Sequence, residues 1–264
     1  VSVRDAYMKE VRVPFMGTVS NGDKGEHVVR IQEWLNVWNR ANDFGLRPLD
    51  LDGHYGPATI RAVKNFQLHV GFSANGVVDE PLWSSLVHPM DIAFDTSDLP
   101  FSNPTQILIS IMMRFAKVHP VELPGNKGPW VRAFMRGHDG DWAAWCAGAV
   151  STAFGLMCDH FDMDMHHYFK WTWSTVKMKQ YAKNSEMCDY FGSDDLKLSD
   201  CQAGDIFLIE NKNNVPRHVG VIVSVGDNDV TTVEGNTNDE GSREGWELVV
   251  RKRKVDGNLA LIRI

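Results

Sequence analysis

HVGVIVSVGDNDVTTVEG, residues 218–235, is two β-branched runs separated by a Gly-Asp-Asn-Asp turn. Short runs of this kind, bounded by Gly, Asn and Asp, read as strands joined by tight connections. The pattern extends in both directions. DIFLIE (205–210) precedes it, and WELVVRKRKV (246–255) and LALIRI (259–264) follow, so a sheet is expected from Gly204 to the end. Upstream the period changes: helical patterns fall at about 105–119, 128–136 and 143–157, and a mixed region continues to about 200. Helices first and strands afterwards predict an α+β fold with an antiparallel sheet, not a doubly wound parallel one.

The first 88 residues separate from this pattern. EHVVRIQEWLNVWNR (26–40) places Val29, Ile31 or Gln32, Leu35 and Trp38 at helical spacing. PATIRAVKNFQLHVG (57–71) opens with a Pro suited to a first helical turn and ends with Gly. A third helix, DEPLWSSLV (79–87), follows the turn GVVD, with Asp79 as its N-cap. Between the first two helices, RPLDLDGHYGPAT (47–59) carries an Asp-Gly turn and Gly56, which force a tight loop into Pro57. HPMDIAFDTSDLPFSNP (88–104) holds three Pro and no sustained period, so 89–104 reads as a linker and 105–264 as a second unit.

The DGHYGPAT segment, the helix carrying Ala62, Val63, Phe66 and Gln67, and the following NGVVD resemble the peptidoglycan-binding type 1 family over about residues 20–87. The resemblance implies a three-helix module that anchors the chain to bacterial cell wall.

Composition narrows the function classes. The 264 residues are 43% hydrophobic and 23% charged, which fits a folded protein with room for two units. A net charge of −7 argues against nucleic acid as partner, because phosphate neutralisation needs a basic surface. The one dense basic run, RKRK at 251–254, reads as the solvated part of a late strand. No apolar run approaches the roughly 20 residues of a membrane span. VSVRDAYMKE at the start lacks the apolar core of a secretory signal, and the absence of an initiator Met leaves a removed leader open. The four cysteines, Cys146, Cys158, Cys188 and Cys201, include no CxxC pair, so neither a zinc ribbon nor a thioredoxin-type motif is expected.

Cys146 lies in DWAAWCAGAV (141–150) and opens a helical run of small residues. At a helix N-terminus the macrodipole and the free N–H groups stabilise an anionic sulfur. A thiol nucleophile needs a base, and His218 stands at the mouth of the strand HVGVIVSV after the rigid VPR turn. The next strand ends with Glu234 and Asn236, two residues apart and so on one face; either could accept the imidazole N–H. Cys158, Cys188 and Cys201 lack such partners and read as structural.

The order helix-Cys, strand-His, neighbouring-strand acid resembles the CHAP family of cysteine, histidine-dependent amidohydrolases and peptidases, within the wider papain-like NlpC/P60 set. Matching pieces are GNKGPWVRAF (125–134), WCAGAVS (145–151), CQAGDIFLIE (201–210), RHVGVIVSV (217–225) and TTVEGNTN (231–238), in order over about residues 105–264. The resemblance implies Cys146 as nucleophile, His218 as general base and then acid, Glu234 as imidazole orienter and Asn236 as a supporting polar group. Asp141–Ala144 departs from the Pro or small-residue context that family members often carry before the cysteine.

Three other features have competing readings. CDHFDMDMHH (158–167) is rich in metal-ligating residue types but reads as a polar loop rimming the groove. HDGD (138–141) resembles the acidic calcium site of some CHAP enzymes, yet supplies only two carboxylates. Trp142, Trp145, Trp171 and Trp173 divide between core and a stacking surface for sugar or peptide.

The expectation is therefore a peptidoglycan hydrolase, cutting as an N-acetylmuramoyl-L-alanine amidase or an endopeptidase, with no cofactor and no metal. It would act on the cell wall, in the periplasm or outside the cell, as endolysin, autolysin or secreted antibacterial toxin. A toxin would have a cognate immunity protein as partner. The rival expectations are a non-catalytic wall-binding protein and a cysteine protease acting on proteins.

Overall fold

The computed structural model describes residues 2–100, 102–194, 196–237 and 245–264. Among these are eight α-helices: α1 Val3–Val11, α2 Glu26–Ala41, α3 Pro57–His69, α4 Glu80–Phe94, α5 Pro104–Val118, α6 Pro129–Phe134, α7 Cys146–His160 and α8 Thr175–Lys183. The strands are β1 Asp189–Phe191, β2 Ile206–Glu210, β3 Pro216–Val225, β4 Val230–Thr237, β5 Glu247–Arg253 and β6 Leu259–Arg263. They form one sheet in the order β1-β6-β2-β3-β4-β5, antiparallel at every pairing, so the fold is α+β.

Alternation along the strands sorts side chains between two cores. On β2, Ile206 and Leu208 face the helices and Phe207 the opposite side; on β6, Ala260 and Ile262 face the helices, and Leu259 and Leu261 do not. The helix-facing core is the larger and takes in α5, α6 and α7. The residues that follow Cys146 are small because α7 lies against its neighbours at close range. A Cβ on Gly148 would stand 2.7 Å from the Phe134 carbonyl oxygen, and one on Gly235 would stand 2.6 Å from the Trp145 ring.

The N-terminal helices begin where the sequence places them. Pro57 opens α3, and the Asp79 carboxylate accepts the Leu82 N–H at 3.0 Å as the N-cap of α4. The loop between α2 and α3 is pinned by Gln32, whose amide donates to Asp52 and accepts from Gly53 N. Gly53, at φ +67° and with the Gly25 carbonyl 3.1 Å from where a Cβ would be, admits only glycine without strain.

Three expectations change. Residues 89–94 are not linker: α4 runs through Pro89 to Phe94, because Met90, Ala93 and Phe94 share a buried helical face on which Phe94 packs against Phe115 and Phe134. Residues 1–88 do not pack as one body, since α1 buries Val3 and Ala6 against α4, α6 and α7. α2 has more than one apolar stripe: Ile31 through Val37 are all buried, which happens when a helix has neighbours on opposite sides.

Those neighbours meet α2 through ions. Arg132 of α6 donates to both oxygens of Glu10 on α1, at 3.0 and 2.9 Å, and to both oxygens of Glu33 on α2, at 2.9 and 2.7 Å. Two carboxylates around one guanidinium satisfy the charge that each would otherwise bury unpaired.

Candidate active site

Cys146 is the first residue of α7, so its sulfur stands at the helix end where backbone N–H groups have no partner inside the helix. It is 5% exposed. His218 lies on β3, paired across the ladder with Ile209, and is buried. Its Nε2 lies 2.9 Å from Oε2 of Glu234 on β4. Glu234 is completely buried and accepts three further hydrogen bonds, one from Thr232 Oγ1 at 2.6 Å and a bidentate pair from Arg253 of β5.

These contacts set the charges. Burial works against an anionic Glu234, but Arg253 first and His218 second outweigh it and draw its pKa down to about 2. A carboxylate only accepts, so Nε2 of His218 must carry the hydrogen and Nδ1 is the nitrogen left to exchange a proton. Nδ1 is buried and makes no hydrogen bond of full geometry among the described residues. Burial alone would lower the imidazole pKa; Cys146 and then Glu234 overcome it and bring it up to about 9. The geometry thus places a thiol, an imidazole with its tautomer fixed, and an ionised carboxylate in series.

Asn236 occupies a different position from the one its spacing predicts. The β4–β5 register shifts between Glu234 and Thr237, and Asn236 takes φ +53°, a left-handed conformation that Asn tolerates. Its Oδ1 accepts the backbone N–H of Trp145 at 3.1 Å, and its Nδ2 donates to Gly245 O and Asn126 Oδ1. It therefore grips the residue before Cys146 and makes no contact with the imidazole. Trp145 is fixed at its other end, where Nε1 donates to Glu122 at 2.8 Å.

Arg253 is the residue that sequence reasoning missed. The RKRK run was expected to be solvated, but β5 alternation turns Arg253 onto Glu234 while Lys252 stays exposed. Only the register of β5 against β4 brings the two side chains together. The remaining cysteines have no such surroundings: burial pushes the Cys158 thiol up to about 12 and Cys201 up to about 11, and Cys188 is raised for the same reason. The described part of TTVEGNTN ends at Thr237; Asn238 lies outside the described residues.

The 158–167 segment lines an open pocket of about 810 Å³ with Asp164, His166 and His167 on its surface. Among the described residues, no group of three or more His, Cys, Asp or Glu side chains is arranged to hold a metal ion. In HDGD, Asp139 accepts from Gly128 N and Arg132, a structural use of its carboxylate. Trp145 is core, Trp171 is half-buried, and Trp142 and Trp173 are exposed. No helix among the described residues is long and apolar enough to cross a membrane.

Residues 24–86 match the protein family described as "Putative peptidoglycan binding domain". Over 54 residues the chain is 46% identical to N-acetylmuramoyl-L-alanine amidase CwlL of Bacillus licheniformis, a stretch that covers 20% of this chain and 15% of that relative. Helices α2 and α3, the loop between them and the first half of α4 thus form a peptidoglycan-binding domain of that family.

Proposed function

We propose that this chain is a cysteine-dependent peptidoglycan hydrolase of the CHAP type, cutting an amide bond of the cell-wall peptide. The observation that carries the proposal is the series Cys146, His218, Glu234, in which Glu234 takes Nε2 and leaves Nδ1 for the thiol. The peptidoglycan-binding domain supports the wall as substrate.

In this mechanism His218 Nδ1 takes the Cys146 proton, and Sγ attacks the amide carbonyl carbon. The backbone N–H of Cys146 at the open turn of α7 stabilises the oxyanion. The C–N bond then breaks as His218 delivers the proton to the leaving amine, and a thioester remains. Water attacks the thioester, giving its proton back to His218 while the C–S bond breaks. Glu234 stays ionised throughout and stabilises the imidazolium. Asn236 is a positioning residue, acting through the Trp145 backbone.

Endolysin, autolysin and secreted toxin all fit this chemistry, and a toxin would be blocked by an immunity protein. All three place the site of action at the cell wall, in the periplasm or outside the cell. Clearing of a peptidoglycan suspension by wild type, and none by Cys146→Ala or His218→Ala, tests the proposal. Clearing by Cys146→Ala at the wild-type rate would sink it. Casein hydrolysis by wild type without wall clearing would favour the rival protein-protease reading.

A further inference from the structure

Three aromatic rings form an open box on the loop that leads into Cys146. Trp142 and Trp173 are 59% and 43% exposed, and their ring centroids are 5.6 Å apart at an interplanar angle of 71°. His138 closes the third side, 6.1 Å from Trp142 and 5.6 Å from Trp173. Large indoles are seldom left in water without a use, least of all as neighbours.

The box is held rigidly beside the nucleophile. Trp142 is four residues before Cys146. Trp173 rides on a segment tied at both ends to the candidate site. Thr172 exchanges two hydrogen bonds with Ser151 of α7, at 2.8 and 3.3 Å, and Thr175 donates to the carbonyl of Pro216, two residues before His218. Trp171 packs edge-on against Trp173 at 5.6 Å, and the Arg136 guanidinium covers its ring at 4.3 Å. None of these anchors uses the indole N–H of Trp142 or Trp173. Among the described residues neither N–H has a partner, so both remain as donors at the rim of an apolar corner.

Two nearly perpendicular aromatic walls with N–H groups at their edges match a pyranose ring, which has a flat C–H face and a polar equatorial rim. A peptide side chain would call for a closed pocket. We propose that Trp142 and Trp173 form a sugar-binding subsite beside Cys146, occupied by the muramic acid residue of the glycan. The amide then presented to the sulfur is the one joining that sugar's lactyl carbonyl to the first stem residue. This rests on the hydrolase reading, and names the bond that reading leaves open.

The test separates the two. Cys146→Ala protein is titrated with peptide-free GlcNAc-MurNAc disaccharide by calorimetry, alongside the same protein carrying W142A or W173A. One sugar site is expected to weaken at least about tenfold in each Trp variant, while any site on the N-terminal domain persists. Both side chains project into solvent, so melting temperatures within a few degrees of the parent are expected. Unchanged stoichiometry and affinity, or no disaccharide binding by the parent, would overturn the subsite. Products of wild-type digestion are scored independently. Stem peptides with a newly freed first-residue amine support the bond assignment, and cleavage confined to cross-links overturns it. A sugar site lost with the tryptophans in a protein that cleaves nothing would keep the subsite and remove the hydrolase.

Discussion

Glu234 has no exposure, yet its charge is satisfied from three sides by His218, Thr232 and Arg253. Removing Arg253 leaves that carboxylate with the imidazole and one hydroxyl. Arg253→Met is expected to lower stability by about 3 kcal/mol, read from urea denaturation, and to shift the alkaline limb of the pH–rate profile; a merely structural Arg253 would leave the limb in place. The sign of the pH dependence follows from the two shifts. His218 is raised to about 9, so its protonated form, needed to release the amine, persists below that value and is lost above it. Its stabilising contribution is complete below the unfolded value near 6.5 and disappears as pH rises through about 9. Glu234 is depressed to about 2, so its contribution is complete above 4.5 and disappears as pH falls toward 2. Melting temperature against pH should therefore be flat between these limits in wild type, and the high-pH fall should be absent in His218→Ala. At this scale the positions of Cys146, His218 and Glu234 could be read in sequence, because each stands at the boundary of a strongly patterned element. Arg253 could not, since a basic run looks solvated until strand register is known. The grip of Asn236 on Trp145 depends on a left-handed residue in a register shift, which spacing does not encode.

Elements meet here through glycines. Gly148 lets α7 approach the end of α6, and a Cβ would stand 2.6 Å from Met135 Sδ and 2.7 Å from the Phe134 carbonyl, an atom that cannot rotate away. Gly148→Ala is expected to cost about 1–3 kcal/mol. Because Gly148 lies two residues into the helix from Cys146, turnover should fall as well. Chemical denaturation with parallel assays checks both, and a variant as stable as wild type would show that α6 and α7 can slide. Periodicity located most helices to within a few residues. It failed where packing overrides a local signal: Pro89 normally ends a helix, but the buried face of Met90, Ala93 and Phe94 carries α4 onward. α1 has only nine residues and a mixed composition, and it is helical because its Val3 and Ala6 face finds α7 and α6.

The two halves of the molecule are joined more firmly than a linker reading of 89–104 implies. Arg132 reaches Glu10 and Glu33 across 122 and 99 residues of sequence, and α1 covers part of the helical layer that carries Cys146. Contacts at such separation leave no trace in local pattern, so a flexible anchor was the natural expectation from sequence. A rigid relation means that the wall-binding domain fixes the orientation of the Cys146 site as well as its proximity to substrate. Arg132→Met should lower stability by about 3 kcal/mol. Removing residues 1–11 should destabilise the Cys146-bearing half, measured as a lower melting temperature of the shortened chain; an unchanged value would restore the picture of independent units. The central claim, that Cys146 cuts an amide in peptidoglycan, is tested most directly by incubating wild type and Cys146→Ala with purified sacculi and identifying the released fragments by mass spectrometry. Free stem peptides or new peptide ends from wild type alone are the expected result, with both proteins retained on the wall. Retention of both without cleavage by either, across several wall chemistries, would contradict the account and leave a wall-binding protein in its place.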